Sequence, residues 1–472
     1  MSLPNQTPLR KIPAVDVLLR DADLERSAVG IPRRIVVDCV RAAVEETRNL
    51  LLAETGDDVD QDEVYRAIVD RARQRLQSAA VPHYRKVINA TGIILHTALG
   101  RAVLAARAIR QIQEELSGYS LLQADVETGR RARRDARIEW LLVQLTGAEA
   151  ATVVNNNAAA TSIVLSTLAQ GKEVIVSRGQ LVEIGGSFRL PDVMAASGVK
   201  LVEVGTTNKT HPRDYEEAIT ENTAAIMRVH PSNYKISGFT SEVPIEQLER
   251  IAHGRGLVLI DDVGAGPLID FSRFGFDREP TLPESVRAGA DVITASADKL
   301  IGAAQGGIIL GKAHLIQRIR KNPLARIVRV GKLTLAALEA TLTLFLDESL
   351  ALREVPTLRM LRRELLEIAE QAEQIAQAIR DGAPAAEVTT ADGSSQMGSG
   401  SLPTQNLPTR LVAILPRQIS PDELALRLRR YSPPIFSRIR AGQVLLDPRT
   451  LLEGEADVVV RAVIEVLRAG SR

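Results

Sequence analysis

Residues 293–311 read ITASADKLIGAAQGGIILG. Two β-branched, apolar runs, VITAS from Val292 and GGIIL from Gly306, flank a short turn that carries one lysine, Lys299. The chain takes most of its basic residues as arginine, so a lysine between two strands of buried type is out of place as a solubilising charge. An amine at a strand end becomes a nucleophile when a partly dry, cationic environment eases loss of its proton, and it can then form a Schiff base.

Working outward, five more short runs of the same character precede it: ATVV at Ala151, EVIVS at Glu173, KLVEV at Lys200, AAIMRVH at Ala224 and LVLID at Leu257. Strands apolar on both sides and separated by crossover-length segments predict an α/β fold with a mostly parallel, seven-stranded sheet covered by helices. Ligands of such sheets sit beyond the carboxyl ends of the strands. That rule nominates Asn155 to Asn157, His230 to Asn233, Asp261 with Asp262, and Ser296 to Lys299.

The flanks differ in texture. PRRIVVDCVRAAVEETRNLLLAE from Pro32 and QDEVYRAIVDRARQRLQ from Gln61 have helical periodicity, broken by the acidic stretch Gly56, Asp57, Asp58. After Lys332 comes a long helical pattern, then a polar loop, TTADGSSQMGSGSLPTQNLPTR, then strand-like LVAIL and QVLLD and a last helix from Glu455. Three domains are expected: helical 1–80, a large domain 81–330 and a small α+β domain 331–472.

Composition sets outer bounds. With 472 residues, 45% hydrophobic and a net charge of +1, the chain has material for a substantial core and no global basic excess that would announce a nucleic acid. One cysteine, Cys39, excludes an intrachain disulfide framework, and Cys39 itself falls on an apolar helical face. There is no metal-ligand spacing of the His-Cys or HExxH kind and no GxGxxG fingerprint, so neither a metal nor a dinucleotide is expected. The opening is too polar for a secretory signal, and no apolar run approaches the roughly 18 residues of a membrane helix. The expectation is a soluble, cytoplasmic protein.

The reagent that suits a Schiff-base lysine is pyridoxal phosphate, which also needs a carboxylate at its ring nitrogen, a phosphate cradle and a partner for its phenolic oxygen. VVNNNAAATS runs from a strand into a small-residue helix start, where free N–H groups and the helix dipole favour an anion; Asn156, Asn157 and Ala158 are the cradle candidates. LVLIDDVGAG ends a strand with two carboxylates, of which Asp262 is preferred and Asp261 the alternative. VHPSNYKISGF offers Ser232 or Asn233 to the ring oxygen, and Ser296 flanks the lysine. His96 and His230 also lie in these stretches, as ring-stacking, acidic or plainly structural histidines. Phosphate loop, aspartate and lysine follow one another on successive strands, the order of the aspartate-aminotransferase-like fold, fold type I.

Several longer stretches are more specific. VINATGIILHTALGRAVL, SRGQLVEIGGSFRLPDVM, VHPSNYKISGFT, SADKLIGAAQGGIILG and RVGKLTLAALEATL together resemble the bacterial selenocysteine synthase family, the L-seryl-tRNA(Sec) selenium transferases. The likeness extends from LRKIPAVDVLL near the start to PPIFSRIRAGQVLLDPRTL near the end. It implies replacement of the β-hydroxyl of serine, already esterified to tRNA(Sec), by selenium from selenophosphate. Lys299 would hold the cofactor and take the α-proton, with Asp298 assisting. Arg101, Arg326 and Arg329 would bind selenophosphate, whose oxygens suit a guanidinium fork. The helical domain would grip the tRNA, through arginines such as Arg33, Arg34, Arg71 and Arg73, and the chain would assemble as a ring of dimers. The sequence departs from the family pattern at several site positions, including Ala297 where a glycine is usual, a change that needs negative φ. Competing readings are a related pyridoxal phosphate lyase acting on a small amino acid or amino-sugar acid, and a tRNA-binding protein that has lost the chemistry.

Overall fold

The computed structural model describes residues 8–53, 60–186, 188–402 and 405–469. The chain forms two compact units, one ending at Lys86 and the other beginning at Val87. The acidic break at 56–58 lies outside the described residues.

In the first unit, α1 (Arg33–Ala53) and α2 (Gln61–Ala80) close on Val36, Val40, Ala43, Val64, Ile68 and Leu76, the apolar positions spaced three and four apart that the sequence marks. Cys39 is half-buried at the edge of this cluster rather than inside it. Arg71 pairs with Glu46 at 3.5 Å and Arg73 with Asp70 at 2.8 Å, both near the surface.

The second unit is built on all seven expected strands: β1 (Ala150–Val154), β2 (Glu173–Ser177), β3 (Lys200–Val204), β4 (Thr223–Val229), β5 (Val258–Gly264), β6 (Val292–Ser296) and β7 (Gly307–Gly311). Their spatial order is β1-β7-β6-β5-β4-β2-β3, and only β7 runs against its neighbours. Because β1 and β6 both pair antiparallel with β7, the carboxyl ends of six strands share one edge. α3 (Asn157–Leu168) packs its Ile163 and Val164 among sheet residues such as Val174 and Ile260.

The remaining chain adds α4 (Lys332–Leu344), whose face joins the main core, and a second sheet. That sheet orders β8 (Glu387–Ser395), β9 (Leu407–Leu415), β10 (Arg438–Arg440) and β11 (Gln443–Leu446) as β8-β9-β11-β10. The polar stretch from Thr389 to Arg410, read as loop, begins inside β8 and ends inside β9, strands that pair over nine residues. Its Gly, Ser and Asp content is poor strand material, and cross-strand pairing at a sheet edge overrides it. Gly92 is fixed by this region: at φ +73 its missing Cβ would lie 1.9 Å from the Asp447 carboxylate. Asp447, wholly buried, accepts from Ser395, Thr409 and Arg438.

Candidate active site

The turn after β6 is pinned at both ends. Ala297 donates its N–H to Gly306 at 2.9 Å, and the N–H of Ala303 returns to the Ala297 carbonyl at 3.0 Å. Between them Lys299 is 7% exposed. Its ammonium makes no hydrogen bond or ion pair to any described residue. Burial, and then the charge of Arg101, push the Lys299 amine below the ordinary lysine range, against the pull of Asp262, Asp298 and Glu279. A buried amine that gives up its proton readily is what a nucleophile requires.

Asp262 faces it from β5. The strand is two residues longer than its apolar run suggests, so both aspartates lie in its body and point to opposite sides. Asp261 pairs with Arg228, its cross-strand neighbour, at 3.1 Å. Asp262 borders the cavity that holds Lys299 and accepts from Asn157 Nδ2 at 2.9 Å, Thr161 Oγ1 at 3.0 Å and the Gly264 N–H at 3.1 Å. Burial raises its carboxyl above the usual range while these three donors pull it down.

The cavity measures about 270 Å³. Asn156, Asn157, Ala158, Ser232, Asp262, Ser296, Lys299 and Arg101, all nominated from sequence, line it. Asn156 caps α3 by accepting from Ala159 at 2.9 Å. Gly307 lets that loop approach: a Cβ there would lie 2.1 Å from the Asn156 carbonyl oxygen. Asn157 Oδ1 and Ser232 Oγ are buried without partners among the described residues, two polar atoms available to a polar ligand. Val182, Ile184 and Phe188 supply an apolar wall.

Other nominated residues stand differently. Asn233 does not line the cavity; its Nδ2 donates to the Glu183 carbonyl at 2.8 Å and its Oδ1 is unpartnered. Asp298 accepts from Arg101 at 2.9 Å on one oxygen and from Ser296 at 2.7 Å on the other, and it opens onto a neighbouring hollow shared with Arg101 and Gln305. Arg101 holds φ +61, a left-handed conformation that non-glycine residues seldom adopt. Ala297 does not have positive φ, so the alanine is unstrained there. Arg326 and Arg329 are exposed and do not border the cavity, although Arg329 bridges Val154 at the end of β1. The larger hollow, about 770 Å³, lies among Arg107, Arg110, Arg134 and Lys332, away from Lys299. Gln305 and Glu279 were not anticipated: the first lines both hollows, and the second is buried against His230.

Residues 87–452 match the L-seryl-tRNA selenium transferase family, and residues 9–48 match the selenocysteine synthase N-terminal family. This chain belongs to the L-seryl-tRNA selenium transferase family. It is 46% identical over 457 residues to the L-seryl-tRNA(Sec) selenium transferase of Geobacter sulfurreducens, covering 97% of this chain and 98% of the relative. Identity to the enzyme of the same name from Alkaliphilus metalliredigens is 45%, covering 98% and 99%. Among solved structures, D-glucosaminate-6-phosphate ammonia-lyase superposes with a TM-score of 0.55 at 21% identity, covering 84% of this chain and 98% of that one. This likeness concerns fold alone and accords with the fold type I arrangement of the sheet. The family membership carries more, because it spans both units.

Proposed function

We propose that this chain converts serine carried on tRNA(Sec) into selenocysteine on the same tRNA, using pyridoxal phosphate and selenophosphate. The single observation that carries the chemistry is Lys299, a buried amine without a partner among the described residues, bordering the same cavity as the buried carboxylate of Asp262. Full-length identity to enzymes of that name supports the substrate.

The residues present fit the cofactor. Lys299 would hold it covalently, Asp262 would face the ring nitrogen, and the free N–H groups at the start of α3, from Asn156, Asn157 and Ala158, would receive the phosphate. Ser232, or Asn233 as the alternative, would meet the ring oxygen, with Ser296 flanking the lysine; the Ser232 hydroxyl has no partner among the described residues. When bound, pyridoxal phosphate supplies the electron sink for a carbanion at the α-carbon of serine. Lys299 would take the α-proton; burial and the charge of Arg101 lower its amine's pKa and so favour the unprotonated form that can accept it. Arg101, held by Asp298 beside the lysine, binds the anionic selenium donor, with Arg326 and Arg329 as further anion ligands.

The helical region 1–80 would grip tRNA(Sec), 81–330 would hold the cofactor and 331–472 would form the small domain. Among the described residues no helix is long and apolar enough to cross a membrane, and the proposed setting is the cytoplasm, as a ring of dimers. The test is direct: purified protein, seryl-tRNA(Sec) and selenophosphate, with the aminoacyl product identified by mass. Selenocysteinyl-tRNA(Sec) is expected; unchanged seryl-tRNA would overturn the reading. Borohydride reduction and peptide mapping should place the cofactor on Lys299 and on no other lysine.

A further inference from the structure

Hydroxide leaves carbon poorly, so removal of the seryl hydroxyl needs a proton donor. The groups around the cavity narrow the choice. Lys299 is committed to the α-proton. Both oxygens of Asp298 already accept hydrogen bonds, from Arg101 and Ser296, and those of Asp262 accept from Asn157, Thr161 and Gly264. A guanidinium such as that of Arg101 does not give up its proton in a protein.

His230 remains. It follows β4 directly, its N–H donates to the Asp262 carbonyl at 2.9 Å, and the residue borders the Lys299 cavity. Its Nε2 lies 2.8 Å from Oε2 of Glu279, a carboxylate only 5% exposed. Glu279 is also close enough to act on the Lys299 amine through its charge. A carboxylate that accepts from Nε2 fixes the ring orientation, and in the charged ring Nδ1 is then the second donor. No described residue bonds Nδ1.

We propose that His230 is the acid that protonates the departing seryl hydroxyl, and that Glu279 is its positioning residue. This rests on the functional reading above. Lys299 accepts the α-proton, and the electron pair of that C–H bond becomes the Cα–Cβ double bond. The Cβ–O bond breaks with its pair on oxygen, which takes the Nδ1 proton of His230 and leaves as water. The neutral imidazole regains a proton from solvent before the next turnover.

A leaving group that needs no proton separates this role from a structural one. Seryl-tRNA(Sec) and β-chloroalanyl-tRNA(Sec) are compared in single turnovers with selenophosphate, reading selenocysteinyl-tRNA(Sec) by mass. In His230→Asn and His230→Gln the seryl reaction is expected to fall about 100-fold or more, and the chloride reaction to stay within about threefold. Glu279→Gln should slow the seryl reaction alone, by roughly tenfold. Cofactor retained through gel filtration shows an intact site; if the asparagine variant loses it, the glutamine variant and Glu279→Gln carry the comparison. Equal loss on both substrates, or an unchanged seryl rate, overturns the assignment while wild-type turnover keeps the functional reading intact. Wild-type protein inert towards both substrates overturns the functional reading, and this one with it.

Discussion

Asn157 Nδ2 sits 2.9 Å from Asp262 Oδ1, so the first residue of α3 is tied to the one strand carboxylate that borders the Lys299 cavity. One side chain thus couples the helix end proposed to receive the phosphate to the group proposed to face the cofactor ring. Asn157→Ala removes a donor from a wholly buried carboxyl that burial already biases towards its protonated form. The expected outcome is faster cofactor loss and a roughly tenfold fall in kcat/KM, the size of one hydrogen bond to a charged group. Dialysis followed by cofactor absorbance, beside the turnover assay, checks both.

The two consecutive aspartates of β5 should respond in opposite ways. Asp262→Asn is expected to abolish turnover, by more than about 100-fold, in protein that still folds. Asp261→Ala instead strands Arg228, whose side chain is 16% exposed, and should cost ~3–5 kcal/mol of stability with turnover per folded molecule little changed. Urea unfolding with active-site titration distinguishes the two; equal effects on activity would refute the assignment of faces.

Lys299 burdens the cofactor-free protein. Its amine is shifted down by burial and by Arg101, so between the folded pKa and the ordinary lysine value the unfolded chain binds more protons than the folded one. Stability attributable to this group therefore rises with pH through that window and levels off above it. Lys299→Met should unfold at a higher temperature than wild type in the cofactor-free state at pH 7, and the gap should narrow as pH approaches that of free lysine. Thermal melts across that range decide it, and a gap that widens would contradict the sign.

Gly307→Ala tests the close approach of β7 to the loop before α3. The new methyl would meet the Asn156 carbonyl oxygen at 2.1 Å, a backbone atom that cannot swing aside. Expected are ~1–3 kcal/mol of destabilisation and impaired cofactor retention, read by thermal unfolding and cofactor absorbance.

Arg101→Met should raise the KM for selenophosphate about 10-fold or more, the loss of ~1.5–3 kcal/mol from a charged hydrogen bond. Binding of the cofactor, measured by absorbance, should change far less. An unchanged KM would assign the anion site to other arginines.

Much of the site could be read without coordinates because each piece is local. The cap at Asn156, the pinned turn around Lys299 and the β-branched runs depend on neighbours in the chain, and all seven strands of the large sheet stand where those runs lie. The resemblance to the selenium transferases was legible for the same reason, since it lives in contiguous stretches.

What the chain order could not supply is which face, and which distant segment, completes the cavity. Alternation along a strand separates Asp261 from Asp262, but only the packing of α3 against β6 and β7, with Asn157 and Thr161 bonding Asp262, says which face holds Lys299. Glu279 reaches His230 from 49 residues away, through a segment with no motif of its own. Arg326 and Arg329, site residues by resemblance, stand exposed outside the cavity of this chain, with Arg329 bridging Val154 at the end of β1. Sequence by itself determined the sheet, the lysine and the helix start, all products of short-range pattern; the pairing of charges across that sheet is long-range, and tertiary structure alone decided it.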